Sequence, residues 1–160
     1  MLLQDAPGVR FVLAGPDVSP DNAELTARVQ ERGLANSVHL LGDRRDTPEV
    51  NAALDIASSS SAWGEGFANV IGEAMSCAVP CVVTDVGDSA WIVGDTGMLV
   101  SPRHPAELAM AWQRMIALGR DGQTSMGARA RQRVIDYFSL GVVATQYAEL
   151  YQQVVARSER

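Results

Sequence analysis

Short apolar runs alternate with amphipathic stretches over residues 9–100, and this alternation constrains the fold more than any other feature. It predicts strands that alternate with helices, which is typical of an α/β protein with a doubly wound parallel sheet and right-handed crossovers. A Rossmann-like sheet core over residues 8–104 is followed by a C-terminal helical tail over residues 105–160, within a single domain of residues 1–160. We expect strands at 9–14, 38–41, 56–58, 80–84 and 97–100, and helices at 19–33, 48–54, 67–78, 89–93, 105–118, 122–137 and 139–157.

Composition narrows the classes of partner. The 160-residue chain has a formal net charge of −6, and every basic residue is arginine. Such an acidic chain is a poor candidate for binding the phosphate backbone of nucleic acid. We see neither a membrane-spanning stretch nor a signal peptide, and Cys77 and Cys81 are expected to be buried core residues rather than zinc ligands. We therefore expect a cytoplasmic protein without a metal or a bound cofactor.

The loop that follows the third predicted strand is the first place to look for a ligand, because open α/β sheets bind ligands at the carboxyl ends of their strands. Gly64 and Gly66 in this loop allow close approach of the backbone to a ligand. A helix is predicted to begin at Phe67, and the free amides of a helix N-terminus favour an anion such as phosphate. The amides expected to face the loop are those of Phe67, Ala68, Asn69 and Val70.

Two glutamates flank this predicted anion site. Glu65 lies in the loop, and Glu73 lies inside the predicted helix among apolar neighbours. A carboxylate in such surroundings is costly unless it is paired or hydrogen-bonded, and vicinal sugar hydroxyls supply two suitable donors. The segment therefore suits a ligand whose phosphates lie between two hydroxyl-rich groups, which is the layout of a nucleotide sugar.

The sequence around these glutamates resembles a known family. Glu65-Gly66-Phe67 together with Glu73-Ala74-Met75 looks like the E-x7-E motif of retaining GT-B glycosyltransferases of the GT4 family (glycosyl transferases group 1). Residues 77–87 and 94–100 are similar to the family's next segments, and residues 11–15, 38–42 and 55–56 match in order and spacing. The resemblance implies that the chain is the donor-binding C-terminal domain of such an enzyme, half of a GT-B fold.

The resemblance also implies roles for individual residues. Glu65 would be the catalytic glutamate that contacts hydroxyls of the donor sugar, and Glu73 would hold the ribose hydroxyls. The loop of Asp43, Arg44 and Arg45 would lie against the nucleobase. Family members transfer a hexose from a UDP-, GDP- or ADP-sugar with retention, generally without a required metal. The amides that would bind sugar and phosphate oxygens are those of Gly66, Phe67, Ala68, Asn69 and Val70.

The chain departs from the family pattern in two ways. Asp88 stands where the family usually has a second glycine, and Trp91 stands where it usually has a glutamate. The family's domain also begins with a strand and helix that carry an arginine and a lysine for the diphosphate, and this chain starts after that unit. In the usual strand order the missing strand leaves two open edges. We therefore expect either the absent N-terminal domain or a second copy, by exchange of strands, as a partner.

Several alternatives remain open from the sequence. The leading interpretation is a carbohydrate-biosynthetic hexosyltransferase that is inactive as this chain alone and that, in its full form, associates peripherally with membranes. The alternative is a non-catalytic nucleotide-binding or interaction module on the same scaffold. A GT-B phosphorylase is disfavoured, because it usually needs a lysine-held pyridoxal cofactor and this chain has no lysine. The arginines expected merely to decorate an exposed helix surface are Arg129, Arg131 and Arg133.

Overall fold

The computed structural model describes residues 2–158 and shows an α/β chain that divides into two compact units. The N-terminal unit ends at Glu49 and the C-terminal unit begins at Val50. The parallel strands form a two-stranded and a three-stranded sheet. The elements are α1 (Leu2–Asp5), β1 (Phe11–Leu13), α2 (Ala23–Glu31), β2 (Val38–Leu40), α3 (Thr47–Ala52), β3 (Ala57–Ser59), α4 (Asn69–Ser76), β4 (Cys81–Thr84), α5 (Ser89–Val93), β5 (Gly97–Val100), α6 (Pro105–Ala117), α7 (Gly119–Phe138) and α8 (Leu140–Ser158).

The N-terminal unit contains the smaller sheet, in which β1 and β2 pair in parallel with Val12 opposite His39. The helix α2 begins later than the sequence predicts. Ser19 to Asn22 form a turn, and the Asn22 side chain accepts a hydrogen bond from the Leu25 amide at 3.0 Å. This cap satisfies an amide that the helix leaves without a partner, and so it fixes the start of α2 at Ala23. Gly33 follows the helix with φ 65°, a left-handed conformation that glycine commonly adopts after a helix C-terminus.

The C-terminal unit is organised around β4, which lies between β3 and β5 in a parallel sheet. All four residues of β4 are buried, as is typical of a valine-rich strand covered on both faces. Val83 packs into a cluster with residues of α4, α5 and α7, whereas Val82 packs into a second cluster with Met115 of α6. Because successive side chains of a strand point to opposite faces, these two clusters cover the two sides of the sheet.

The three C-terminal helices differ in how much they bury. Helix α6 packs against β4 and β5, and α7 packs against α4. In α8, Tyr147 and Tyr151 leave more than half of their surface exposed. Within residues 2–158, no helix combines the length and the apolar character needed to cross a bilayer. In open α/β sheets ligands bind at the carboxyl ends of the strands, so the carboxyl end of the three-stranded sheet is the candidate position for a ligand.

Candidate functional site

Residues 60–68 connect β3 to α4 at the carboxyl end of the three-stranded sheet, and we call them the β3–α4 loop. Thr84, the last residue of β4, is buried, and its hydroxyl donates a hydrogen bond to the Ser61 carbonyl at 2.7 Å. This contact ties the start of the loop to the central strand. Sequence reasoning missed Thr84, because nothing local to it indicates a partner 23 residues earlier.

Glu65 is held by its own loop. The Ser61 hydroxyl donates to Oε1 of Glu65 at 2.5 Å, and the glutamate is partly buried. Thr84, Ser61 and Glu65 thus form a chain of hydrogen bonds that runs from the sheet to the carboxylate. A side chain whose rotamer is fixed in this way is preorganised to bind hydroxyl groups.

The loop after β4 fixes the other side of the β3–α4 loop. Gly87 has φ 56°, and a Cβ added there would overlap the Glu65 carbonyl oxygen and lie 2.8 Å from the Gly66 carbonyl oxygen. The amide of Asp88, the next residue, donates to the Gly66 carbonyl at 3.2 Å. Glycine is therefore required at position 87 both by the backbone conformation and by the close approach of the two loops.

Helix α4 begins at Asn69, two residues later than predicted. Ala68 is its N-cap, with extended backbone angles of φ −74° and ψ 92°, and its side chain makes no capping hydrogen bond. The aromatic ring of Phe67 packs against Trp91 and Phe138. These tertiary contacts hold Phe67 outside the helix, so the prediction that Phe67 and Ala68 form its first turn is wrong.

A row of backbone amides at the end of the loop donates to no acceptor within residues 2–158. The first amides of any helix lack partners within the helix, and here the row extends back into the loop. Partial positive charge at such a terminus favours an anion. The delayed start of α4 leaves these amides without acceptors among the described residues, and the anion site stays a prediction. The residues that carry these amides are Gly66, Phe67, Ala68, Asn69 and Val70.

Glu73 lies on the exposed face of α4. Ile71, Ala74 and Met75 of the same helix are buried, and residues three and four apart on a helix share a face. Glu73 accordingly lies on the same side as Asn69, away from the core. The expectation of an apolar environment that penalises this carboxylate is wrong, because Glu73 itself is exposed and Ile71, Ala74 and Met75 point away from it into the core. The carboxylate is nevertheless accessible to a ligand.

The residues predicted to face a nucleobase lie in the N-terminal unit, after β2. Arg44 donates to Oδ1 of Asp46 at 2.8 Å and makes a second contact with its other carboxylate oxygen. The hydrogen bond from Arg44 lowers the pKa of Asp46, and the same bond raises the pKa of Arg44. Arg44 is thus engaged within its own loop, whereas Asp43 and Arg45 are exposed. The structure brings Glu65, Glu73 and the free amides together in one segment, and Asp43–Arg45 belong to the other unit.

A second feature of the sheet edge was not predicted from the sequence. The guanidinium of Arg103 lies 4.8 Å from the ring centroid of Trp63, which is 71% exposed. The loop that carries Arg103 is held by Glu107, whose Oε2 accepts a hydrogen bond from the Ser101 amide at 2.9 Å. This hydrogen bond lowers the pKa of Glu107. Trp63, which belongs to the β3–α4 loop, thus forms an exposed cation–π pair with Arg103.

Metal binding needs a cluster of ligand side chains rather than a row of backbone amides. In the part of the chain that the structure describes, no three histidine, cysteine or acidic side chains group closely enough to hold a metal ion. Cys81 is buried, and burial raises the pKa of its thiol to about 12. Cys77 is half-buried. The polar groups of the site are thus carboxylates, hydroxyls, a guanidinium and backbone amides.

Comparison with known proteins identifies relatives over most of the chain. The sequence pattern of the family described as "Glycosyl transferases group 1" matches residues 1–117. An exopolysaccharide phosphotransferase of Streptomyces coelicolor is 33% identical over 98% of this chain and 17% of its own length. N-acetyl-alpha-D-glucosaminyl L-malate synthase of Bacillus anthracis is 30% identical over 85% of this chain and 36% of its own length. The chain thus spans well under half the length of these relatives.

Solved structures also match most of this chain. The crystal structure of Anabaena HepE in complex with UDP matches with a TM-score of 0.82 and 30% sequence identity, over 95% of this chain and 44% of that chain. A structure of the same protein in complex with UDP-glucose matches with a TM-score of 0.78 and 28% identity. The α/β fold of this chain is therefore close to that of proteins that bind nucleotide sugars.

Proposed function

Because this chain belongs to the glycosyl transferases group 1 family, we propose that it is the donor-binding part of a retaining GT4-type glycosyltransferase with a GT-B fold. In this proposal it holds a nucleotide sugar while a hexose passes to an acceptor. The observation that carries the proposal is the row of amides of residues 66–70, which have no acceptor within residues 2–158 and which follow the hydrogen-bonded Glu65 directly. The row suits a diphosphate, and Glu65 suits the sugar attached to it.

The reaction needs stabilisation of charge more than a protein nucleophile. As the bond between the sugar and the diphosphate breaks, negative charge develops on the leaving phosphate. Backbone amides that are already oriented toward that charge require no rearrangement as it develops. In our proposal Glu65 orients the donor sugar through its hydroxyls, and Glu73 accepts hydrogen bonds from the ribose hydroxyls. Asp43, Arg44 and Arg45 contact the nucleobase.

Relatives support a uridine nucleotide as the first donor to test, because HepE has been solved with UDP and with UDP-glucose. The chain spans 17% and 36% of the two relatives named above and 44% of HepE. We propose that the acceptor site and the cationic groups for the diphosphate belong to the remainder of such an enzyme. On this basis we expect the 160-residue chain to bind UDP weakly and to be inactive alone.

Calorimetric titration of the chain with UDP tests the binding role. Removing a charge-assisted hydrogen bond to ligand costs roughly 1.5–3 kcal/mol, so Glu73→Gln should raise the Kd for UDP about tenfold or more. Glu149→Gln is the matched control, because Glu149 is an exposed glutamate on another helix, α8. Equal Kd values for the wild type and Glu73→Gln would discredit the ribose role.

Turnover distinguishes the enzyme from a non-catalytic module on the same scaffold. In a full-length protein that contains this chain, Glu65→Gln should lower kcat while UDP still binds, because the glutamate contacts the sugar rather than the nucleotide. Hydrolysis or transfer of a nucleotide sugar by the wild type supports the transferase. Nucleotide binding without any turnover would instead support the module.

A further inference from the structure

Three aromatic rings from three different segments meet beside the β3–α4 loop, and we call them the aromatic triad. Phe67 lies near the end of this loop, Trp91 lies in α5 and Phe138 ends α7. The ring centroids of Phe67 and Trp91 are 6.2 Å apart, those of Phe67 and Phe138 are 5.4 Å apart, and those of Trp91 and Phe138 are 4.8 Å apart. All three pairs are edge-to-face, the preferred arrangement of aromatic pairs.

The triad lies at the surface rather than in the core. Phe67 is 41% exposed and Trp91 is 57% exposed, whereas Phe138 is half-buried and packs against the core cluster around β4. Rings this exposed contribute only part of the transfer free energy of a buried side chain. Their orientation instead fixes where Phe67 lies, and Phe67 is one of the residues whose amides form the proposed diphosphate site.

Arg133 of α7 holds Trp91 from the backbone side. Its guanidinium donates to the Trp91 carbonyl at 2.6 Å and to the Ile92 carbonyl at 2.9 Å. It also lies 5.9 Å from the ring centroid of Phe138. A Cβ added at Gly94 would lie 2.7 Å from the guanidinium carbon, so glycine leaves room for this contact. The prediction that Arg133 merely decorates an exposed surface is wrong, because it connects α7 to the end of α5.

We propose that Trp91 and Phe138 are positioning residues that hold Phe67, and with it the amide row of residues 66–70, in the conformation that binds the donor diphosphate. This inference rests on the proposed function. Phe67 also lies over α4, because a Cβ added at Gly72 would lie 3.8 Å from its Cε1 atom. The ring of Phe67 is therefore bounded by α4, Trp91 and Phe138. A rotation of the Phe67 backbone would break these contacts.

The identity of residue 91 gains a meaning from this arrangement. The family resemblance leads us to expect a glutamate there, and the chain has tryptophan. A carboxylate cannot pack edge-to-face on Phe67 and Phe138 as an indole does. In this chain, position 91 thus acts on the donor site through the ring of Phe67.

Titration of the 160-residue chain with UDP, together with its thermal melting, tests the positioning role. Trp91→Ala and Trp91→Glu should each raise the Kd for UDP about tenfold, and Trp91→Phe should restore it to within about threefold of the wild type, because phenylalanine keeps an edge-to-face partner for Phe67. Phe138→Leu should weaken UDP binding in the same direction. Tyr151→Ala removes an aromatic ring of similar exposure on α8 and should leave the Kd unchanged.

Cleavage by chymotrypsin at Phe67 gives a second readout that needs no ligand. Loss of Trp91 should free Phe67 and speed cleavage of the β3–α4 loop severalfold, and Trp91→Phe should reverse the effect. If the wild type binds UDP and Trp91→Ala binds it equally well, the positioning role is overturned and the proposed function stands. If the wild type fails to bind UDP, the proposed function fails, and the positioning role falls with it.

Discussion

Each of the two parallel sheets contains a short apolar strand, and these two strands are buried to very different degrees. Phe11–Leu13 in β1 and Cys81–Thr84 in β4 are both short apolar runs. Every residue of β4 is buried, whereas Val12 and Leu13 are 39% and 38% exposed. Helices cover β4 on both faces, and α2 of the N-terminal unit contributes no buried residue. An apolar run thus predicts a strand but not what covers it.

A cavity in the larger core should produce the largest effect. Met75 is fully buried, and Met75→Ala should lower the free energy of unfolding by roughly 2–5 kcal/mol, as large-to-small core substitutions do. Leu13→Ala in β1 should cost much less, because Leu13 is already partly exposed. Urea unfolding followed by tryptophan fluorescence measures the first effect, since Trp63, Trp91 and Trp112 all lie in the C-terminal unit.

A single urea transition, coincident by circular dichroism and by fluorescence, would contradict this difference between the two sheets. We expect instead that circular dichroism, which reports both units, begins to change at a lower urea concentration than fluorescence. The N-terminal unit buries too little apolar surface to be equally stable. Equal destabilisation by Met75→Ala and Leu13→Ala would likewise contradict the difference between the sheets.

Two glycines with similar positive φ, one in each unit, allow a test in which only the surroundings of the added side chain differ. Gly33 and Gly87 both have positive φ, and a Cβ would meet nothing within 4 Å at Gly33 but would overlap a carbonyl oxygen at Gly87. Gly33→Ala should therefore cost only the backbone strain of roughly 1–2 kcal/mol. Gly87→Ala should cost more in thermal melting and should also abolish UDP binding, because it displaces Glu65 and Gly66. Retention of UDP binding by Gly87→Ala would contradict the close approach of the two loops.

Thiol chemistry gives the smallest and most local test. In a Cys77→Ala background, Cys81 should resist a thiol reagent at pH 8, because burial raises its pKa to about 12. A cysteine introduced by Val12→Cys at the middle of β1 should react rapidly. The stability that Cys81 contributes is present below its ordinary pKa of 9.0. It is lost as pH rises toward about 12, because the unfolded chain then releases a proton that the folded chain retains.

The sequence was most informative where local turn chemistry marks the boundaries. Helix α5 and strand β5 lie where they were predicted. Gly87, with positive φ, lies in the turn before α5, and Gly94, also with positive φ, ends α5 ahead of β5. The start of α4 was mispredicted because Ala68 stays extended under tertiary contacts of Phe67. Arg133 was misjudged for a similar reason, since its acceptors lie more than 40 residues away in sequence.

In the candidate site, too, some features follow from the local sequence and others depend on contacts between distant residues. The E-x7-E spacing and the glycines of the β3–α4 loop pointed to a segment whose amides are indeed without acceptors in the described chain. The hydrogen bonds that orient Glu65 come from Ser61 and, through it, from Thr84. No single-sequence pattern specifies which serine of the run Ser58–Ser61 makes such a contact. The supporting residues of a site are set by the fold, and only the fold shows them.

Helix α7 makes contacts near both ends of α4. Next to the start of α4, the ring of Phe138 packs on that of Phe67. At the end, Arg131 donates to the Ser76 carbonyl, and the bare backbone of Gly127 lies so close to the Ala78 carbonyl oxygen that no side chain fits between them. These contacts at two separate points couple the position of α4 to that of the longer helix α7. A displacement of α7 would therefore also move the amide row of residues 66–70, the proposed diphosphate site.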